Sequence, residues 1–206
     1  MNMLYDKLCQ WALVPIVGCA MVACKPSARD TRPEGGAPSG LRQELVKPVT
    51  QQERESHCIS MARAMQLAQL VKVEDGCITG IGDSATVDSV MYRMGYAKSP
   101  HRYINLNGGV ILYVYGCDVD EEGSMVNARS AQANVVRISS LGQPEGSTLV
   151  AVSVASRKVF DGLLDELADL GFAGAEPEFT DGTFHVLADK FISGDGYIIQ
   201  LSLKAL

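Results

Sequence analysis

The sequence is poor in histidine, in aromatic residues and in basic charge, and each shortage narrows what it does. Its three histidines, His57, His101 and His185, are scattered and no CxxC spacing occurs. A zinc site needs clustered Cys and His ligands, so no metal or other cofactor is expected. Lys and Arg number 18 against 24 Asp and Glu, a formal net charge of −6. No Lys/Arg block breaks that balance, which argues against a nucleic-acid partner. After Ala23 no apolar run approaches the ~20 residues of a membrane span, so the remainder is expected to be soluble.

What the N-terminus does contain is an address. A mildly polar start carrying Lys7 leads into the apolar stretch Trp11 to Ala23, then Cys24 and an abruptly polar run. That order is the layout of a secretory signal peptide. Met21-Val22-Ala23-Cys24 resembles the lipobox of bacterial lipoproteins, an aliphatic residue and two small ones before a cysteine. Ile16-Val17-Gly18-Cys19 also fits the letters but leaves a very short apolar core, so Cys24 is preferred and Cys19 stays open. The resemblance implies lipidation of Cys24, and several acyl chains anchor stably because each buried CH₂ contributes roughly 0.8 kcal/mol. Lys25 stands where the family's inner-membrane retention signal has Asp, which points to the outer membrane with the domain in the periplasm; the inner membrane stays open.

Residues 24–48 are rich in Pro, Gly, Ser and mixed charge without apolar period, the signature of a flexible tether. Residues 49–206 form one domain. Thr50-Gln51-Gln52-Glu53 has capping-box form and opens a helix running to about Leu70. Val71 to Ile81 has room for a short strand. Asp83 or Ser84 caps a second helix, Ala85 to Met94, with Val87, Val90, Met91 and Met94 inward and Gly95 as its stop. Arg102–Leu106 and Val110–Gly116 flank Asn107-Gly108-Gly109, a strong hairpin signal. Asn134–Ser139 and Thr148–Ala155 form another hairpin. Ser156 caps a third helix whose apolar face is Val159, Phe160, Leu163, Leu164, Leu167 and Leu170, ended by Gly171. Thr183–Ala188 and Tyr197–Leu203 make the last hairpin. The expected fold is α+β: an antiparallel sheet of hairpins with about three helices, mainly on one face. Met94-Gly95-Tyr96 and Leu170-Gly171-Phe172 echo one another, leaving a duplicated αββ unit open.

Three cysteines remain in the domain. In an oxidising compartment Cys58 and Cys77 are the expected disulfide, with Cys117 left over. Gly82-Asp83-Ser84 resembles the opening block of SGNH hydrolases, which implies Ser84 as a nucleophile. The family's later Gly-x-Asn-Asp block is missing, and Asp181 stands four residues before His185 rather than three. A small hydrolase using Ser84 is therefore the alternative to a non-enzymatic binding domain. Asp118, Asp120, Glu121 and Glu122 form an acidic cluster, but the twelfth place of a calcium loop starting at Asp118 is Arg129. Tyr113 and Tyr115 share a strand face. If helices cover the other face, these tyrosines with the 118–122 loop at their rim would contact a basic protein partner; the competing placement has them packing against the helices.

The stretch Val159 to Val186, through Leu167, Leu170, Gly171, Phe172, Gly182 and Phe184, resembles the helix-grip units of BamC-type lipoproteins. That implies an envelope-assembly or secretion accessory; an immunity or inhibitor protein is the other class open to a small acidic lipoprotein.

Overall fold

The structure is a computed structural model, and it describes residues 48–74, 77–82, 84–99, 110–121, 123–139, 148–190 and 196–203. Cys24, Cys19, the expected tether to residue 47, Asp83, the expected 102–106 strand with its 107–109 turn, Glu122, and all of residues 140–147 and 191–195 lie outside those residues, as do the side chains of residues 72–81.

The domain is α+β. An eight-stranded antiparallel sheet runs in the order β3-β4-β7-β8-β12-β11-β10-β9. Its strands are β3 (Ala97–Lys98), β4 (Val110–Tyr115), β7 (Asn134–Ser139), β8 (Leu149–Val154), β9 (Ala173–Ala175), β10 (Glu178–Thr180), β11 (Phe184–Lys190) and β12 (Tyr197–Leu203). Two small ladders stand apart from it: β1 (Val71–Glu74) with β2 (Cys77–Ile81), and β5 (Asp118–Val119) with β6 (Met125–Val126). The central hairpins follow the alternation of their residues. Val136, Ile138, Val150, Val152, Val154, Ile199 and Leu201 are all buried on one face, as period-two patterning requires.

Helices cover that face. The expected first helix is two: α1 (Gln51–Ser56) and α2 (Met61–Leu70). The capping box at Thr50 forms, but His57 turns into the left-handed region at φ 52° and ends α1 after six residues. Ser60 then caps α2, its hydroxyl accepting from the Arg63 N–H. The break is easily read through, because His57-Cys58-Ile59-Ser60 holds neither Gly nor Pro to mark it. α3 (Ser84–Arg93) buries Val87, Val90 and Met91 as expected, and Gly95 at φ 91° stops it. α4 (Arg157–Asp169) buries Phe160, Leu163 and Leu167, whereas Leu170 at the far end of its stripe is exposed. Ser156 precedes α4 without a side-chain capping bond, so its capping role is backbone only. α2 and α4 lie against β8 and β12 and against each other.

The helix-end echo is real at the local level. Gly95 and Gly171 have φ of 91° and 85°, and Tyr96 and Phe172 each donate their N–H to the carbonyl five residues back, Met91 and Leu167. A two-residue strand follows the first and the β9–β10 hairpin the second.

The opposite sheet face carries a smaller cluster of Leu112, Cys117, Ala133 and Val135, with Val119 and Met125 of the β5–β6 hairpin packed onto it.

Candidate functional site

The break between α1 and α2 is held by one carboxylate. Glu53, 2% exposed, accepts from the Thr50 N–H at 2.9 Å, the Ser60 N–H at 3.1 Å and the Ser60 hydroxyl at 2.9 Å. It also pairs with Arg63, whose Nε lies 2.5 Å from Oε1 and Nη2 3.0 Å from Oε2. Nη2 of Arg63 further donates to the Pro48 carbonyl. Burial pushes the Glu53 carboxyl up, but the hydrogen bonds from Arg63, Thr50 and Ser60 outweigh it and hold the group below its ordinary value.

Against this hub, α1, the 131–132 turn and α4 enclose a cleft of about 350 Å³, within the range of small ligand sites. Cys58, Ile59, Val159 and Leu163 give it an apolar floor, and Gln52, Glu55, Gln132, Lys158 and Glu166 supply its polar groups. Glu166 bridges the walls: its Oε1 accepts from Gln52 Nε2 and its Oε2 from the Met61 N–H at the start of α2, each at 2.7 Å. The turn is tied in by Gln132 Nε2 donating to the Glu55 carbonyl at 3.0 Å. Burial raises the Glu166 carboxyl above its ordinary value, the Met61 N–H partly offsets this, and the nearby Glu53 and Asp169 charges add to it.

Gly162 also lines the cleft, in the middle of α4. A Cβ built there meets nothing within 4 Å. Mid-helix glycine costs roughly 0.5–1 kcal/mol relative to alanine, and no packing constraint in the structure requires it.

The side chain of Cys77, the expected disulfide partner of Cys58, lies outside the described residues. Cys58 is a free, buried thiol in the lining of the cleft. Burial first, then the Glu166 charge, pushes it up to about 12, and Cys117 rises to about 11 by burial and the charge of Asp118. Thiols so raised hold almost no thiolate at neutral pH and are poor nucleophiles.

The tyrosine surface also changes place. Tyr113 is 0% exposed in the main core, facing the helices, and its hydroxyl donates to Asp88 Oδ1 at 2.6 Å. Lys98 pairs with the same carboxylate at 3.0 Å. Tyr115 packs against that core too, stacked on His57 with ring centroids 4.5 Å apart. Their strand pairs with β7 so that Tyr113 lies beside Val136, which fixes the face. In the acidic loop, Asp118 pairs with Arg129 at 2.5 Å, the cation standing where a calcium loop would have its closing Glu. Asp120 Oδ1 accepts from the Ser124 N–H at 2.7 Å, and Glu121 is exposed. The carboxylates of Asp118 and Asp120 thus fold their own loop. Ser84 is the exposed first residue of α3, and among the described residues it hydrogen-bonds to no histidine. Among the described residues no group of three metal-ligating side chains converges, and no helix is long and apolar enough to cross a membrane.

Sequence reasoning missed Glu166 and Gly162, which read as solvent-side positions of α4. The available signal was the glycine itself, interrupting an otherwise strong helix former run. Comparison of the chain with protein-family models, with curated proteins and with solved structures gives no match.

Proposed function

We propose that the chain is a lipid-anchored envelope protein, attached through Cys24 to the outer membrane, whose periplasmic α+β domain binds a protein partner without catalysing a reaction. The observation that carries the binding reading is the cleft between α1 and α4. It combines an apolar floor with a half-buried carboxylate and lacks an activated nucleophile, since its one thiol is pushed far up. Ser84, the nucleophile of the alternative hydrolase reading, is not among the residues that line this cleft. The address rests on the apolar run ending at Val22-Ala23, the cysteine and the polar tether beyond. Envelope assembly or secretion, or neutralisation of a toxin, are the settings that suit such a domain.

Metabolic labelling with an alkyne fatty acid tests the anchor. The wild type is expected to take up label, and Cys24→Ser to lose it. Label that survives Cys24→Ser and disappears in Cys19→Ser moves the anchor to Cys19. A wild type without label ends the lipoprotein reading.

A further inference from the structure

The face of α4 that borders the cleft is asymmetric. Lys158, Val159, Gly162, Leu163 and Glu166 line it in helical phase, with the cation at the N-terminal end and the carboxylate eight residues on. At 1.5 Å per residue those opposite charges stand about 12 Å apart along the axis, the length of roughly four extended residues. Between them lie Val159 and Leu163 and, where a side chain would project, the empty space over Gly162.

We infer that this cleft takes a short extended segment of a partner protein, with an apolar centre seated over Gly162, a Lys or Arg at Glu166 and an acidic residue at Lys158. This rests on the protein-binding reading and specifies its partner. The cleft itself sets this charge pattern, with Lys158 at one end of its α4 wall and Glu166 at the other. Glu166 uses one lone pair on each oxygen toward Gln52 and Met61, so each oxygen retains capacity for a guanidinium or ammonium donor. Glu55, also on the cleft wall, adds negative charge, whereas Glu53 is already neutralised by Arg63. A carboxylate in partly desolvated surroundings gains more from a cation than an exposed one does. Gly162 has the character of a position kept small for an occupant: alanine there would favour the helix, and nothing in the fold stands in its way.

Selection of a random peptide display library on the full-length, detergent-solubilised chain tests this. The expected winners carry a basic and an acidic residue flanking one or two apolar ones. Binding should fall at least tenfold in Gly162→Leu, and the preference for a basic residue should fall at least fivefold in Glu166→Gln, which keeps the acceptor for Met61. Lys158→Glu should invert the preference at the acidic end. Gly162→Ala should raise the melting midpoint by about 2 °C while weakening the same peptides, which separates loss of space from loss of fold. Winners that bind wild type and Gly162→Leu equally sit elsewhere, and they overturn this inference while leaving the protein-binding reading standing. Winners without the charge pattern overturn it as well. Displacement of every winner by the chain's own 25–48 peptide would make the tether the occupant instead. No enrichment at all would remove the protein-binding reading and this inference with it.

Discussion

Glu53→Ala is expected to destabilise the domain by about 3–5 kcal/mol, because it removes the carboxylate of a buried ion pair with Arg63. It also removes the acceptor for three further donors, from Thr50 and Ser60. The loss should appear as a lower denaturant midpoint with an unchanged slope. Removing both charges in Glu53→Ala/Arg63→Met should recover part of it, since a buried pair replaced by apolar groups costs less than one broken on a single side. The same carboxylate sets a pH dependence. Its folded value lies below its ordinary 4.5, so the stability it contributes is complete above 4.5 and is lost as pH falls through the folded value. Glu166 acts in the opposite sense. Its folded value lies above 4.5, so the native state gains relative stability as pH falls through that raised value toward 4.5. Glu53→Gln should therefore flatten the acid limb of the stability curve, and Glu166→Gln should relieve a cost present at neutral pH. A Glu53→Ala loss under about 1 kcal/mol, the range of exposed pairs, would mean the hub is not holding the α1–α2 junction.

Tyr113→Ala is expected to cost a further about 3–5 kcal/mol, the range for truncating a large buried ring. Tyr113 is among the largest fully buried side chains, and its ring sits under Lys98 at 5.8 Å. Tyr113→Phe should cost only about 1 kcal/mol, as it removes the donor to Asp88 while Lys98 still neutralises that carboxylate. Leu187→Ala provides the contrast: this leucine is 38% exposed on the sheet face away from the helices, and its loss should stay within about 0.5 kcal/mol. Thermal unfolding of the three variants checks the order. Equal, small losses for Tyr113→Ala and Leu187→Ala would put the tyrosine back on an open surface.

The contrast explains what the sequence allowed. Strand alternation and helix phase were legible wherever local pattern and tertiary burial agreed: β7 with β8, β11 with β12, α3 with its Gly95 stop, and the apolar stripe of α4. Alternation correctly put Tyr113 and Tyr115 on one face but carried no information on which side the helices lie. That choice is made by long-range packing, and the core took the tyrosines. The α1–α2 break was hidden because no Gly or Pro marks it: His57 takes the left-handed turn and Ser60 caps the new helix. The β9–β10 hairpin was invisible for the opposite reason: Ala173–Ala175 is exposed throughout and offers no apolar alternation. Cys58 packs in the core with Ile59 and Tyr96, a burial that compartment and spacing, the grounds for pairing it with Cys77, did not reveal. The cleft was the least legible feature, since it joins residues more than a hundred positions apart, Gln52 and Met61 with Glu166.

The central claim, that the α1–α4 cleft is where a partner binds, is tested most directly by site-specific photocrosslinking in intact cells. A photoreactive side chain replaces Lys158 in one strain, Leu187 in a second and Glu121 in a third. The account predicts one discrete protein adduct from position 158, absent from 187 and 121, and abolished when Gly162→Leu is added. An adduct from 187 or 121 with none from 158 would contradict it.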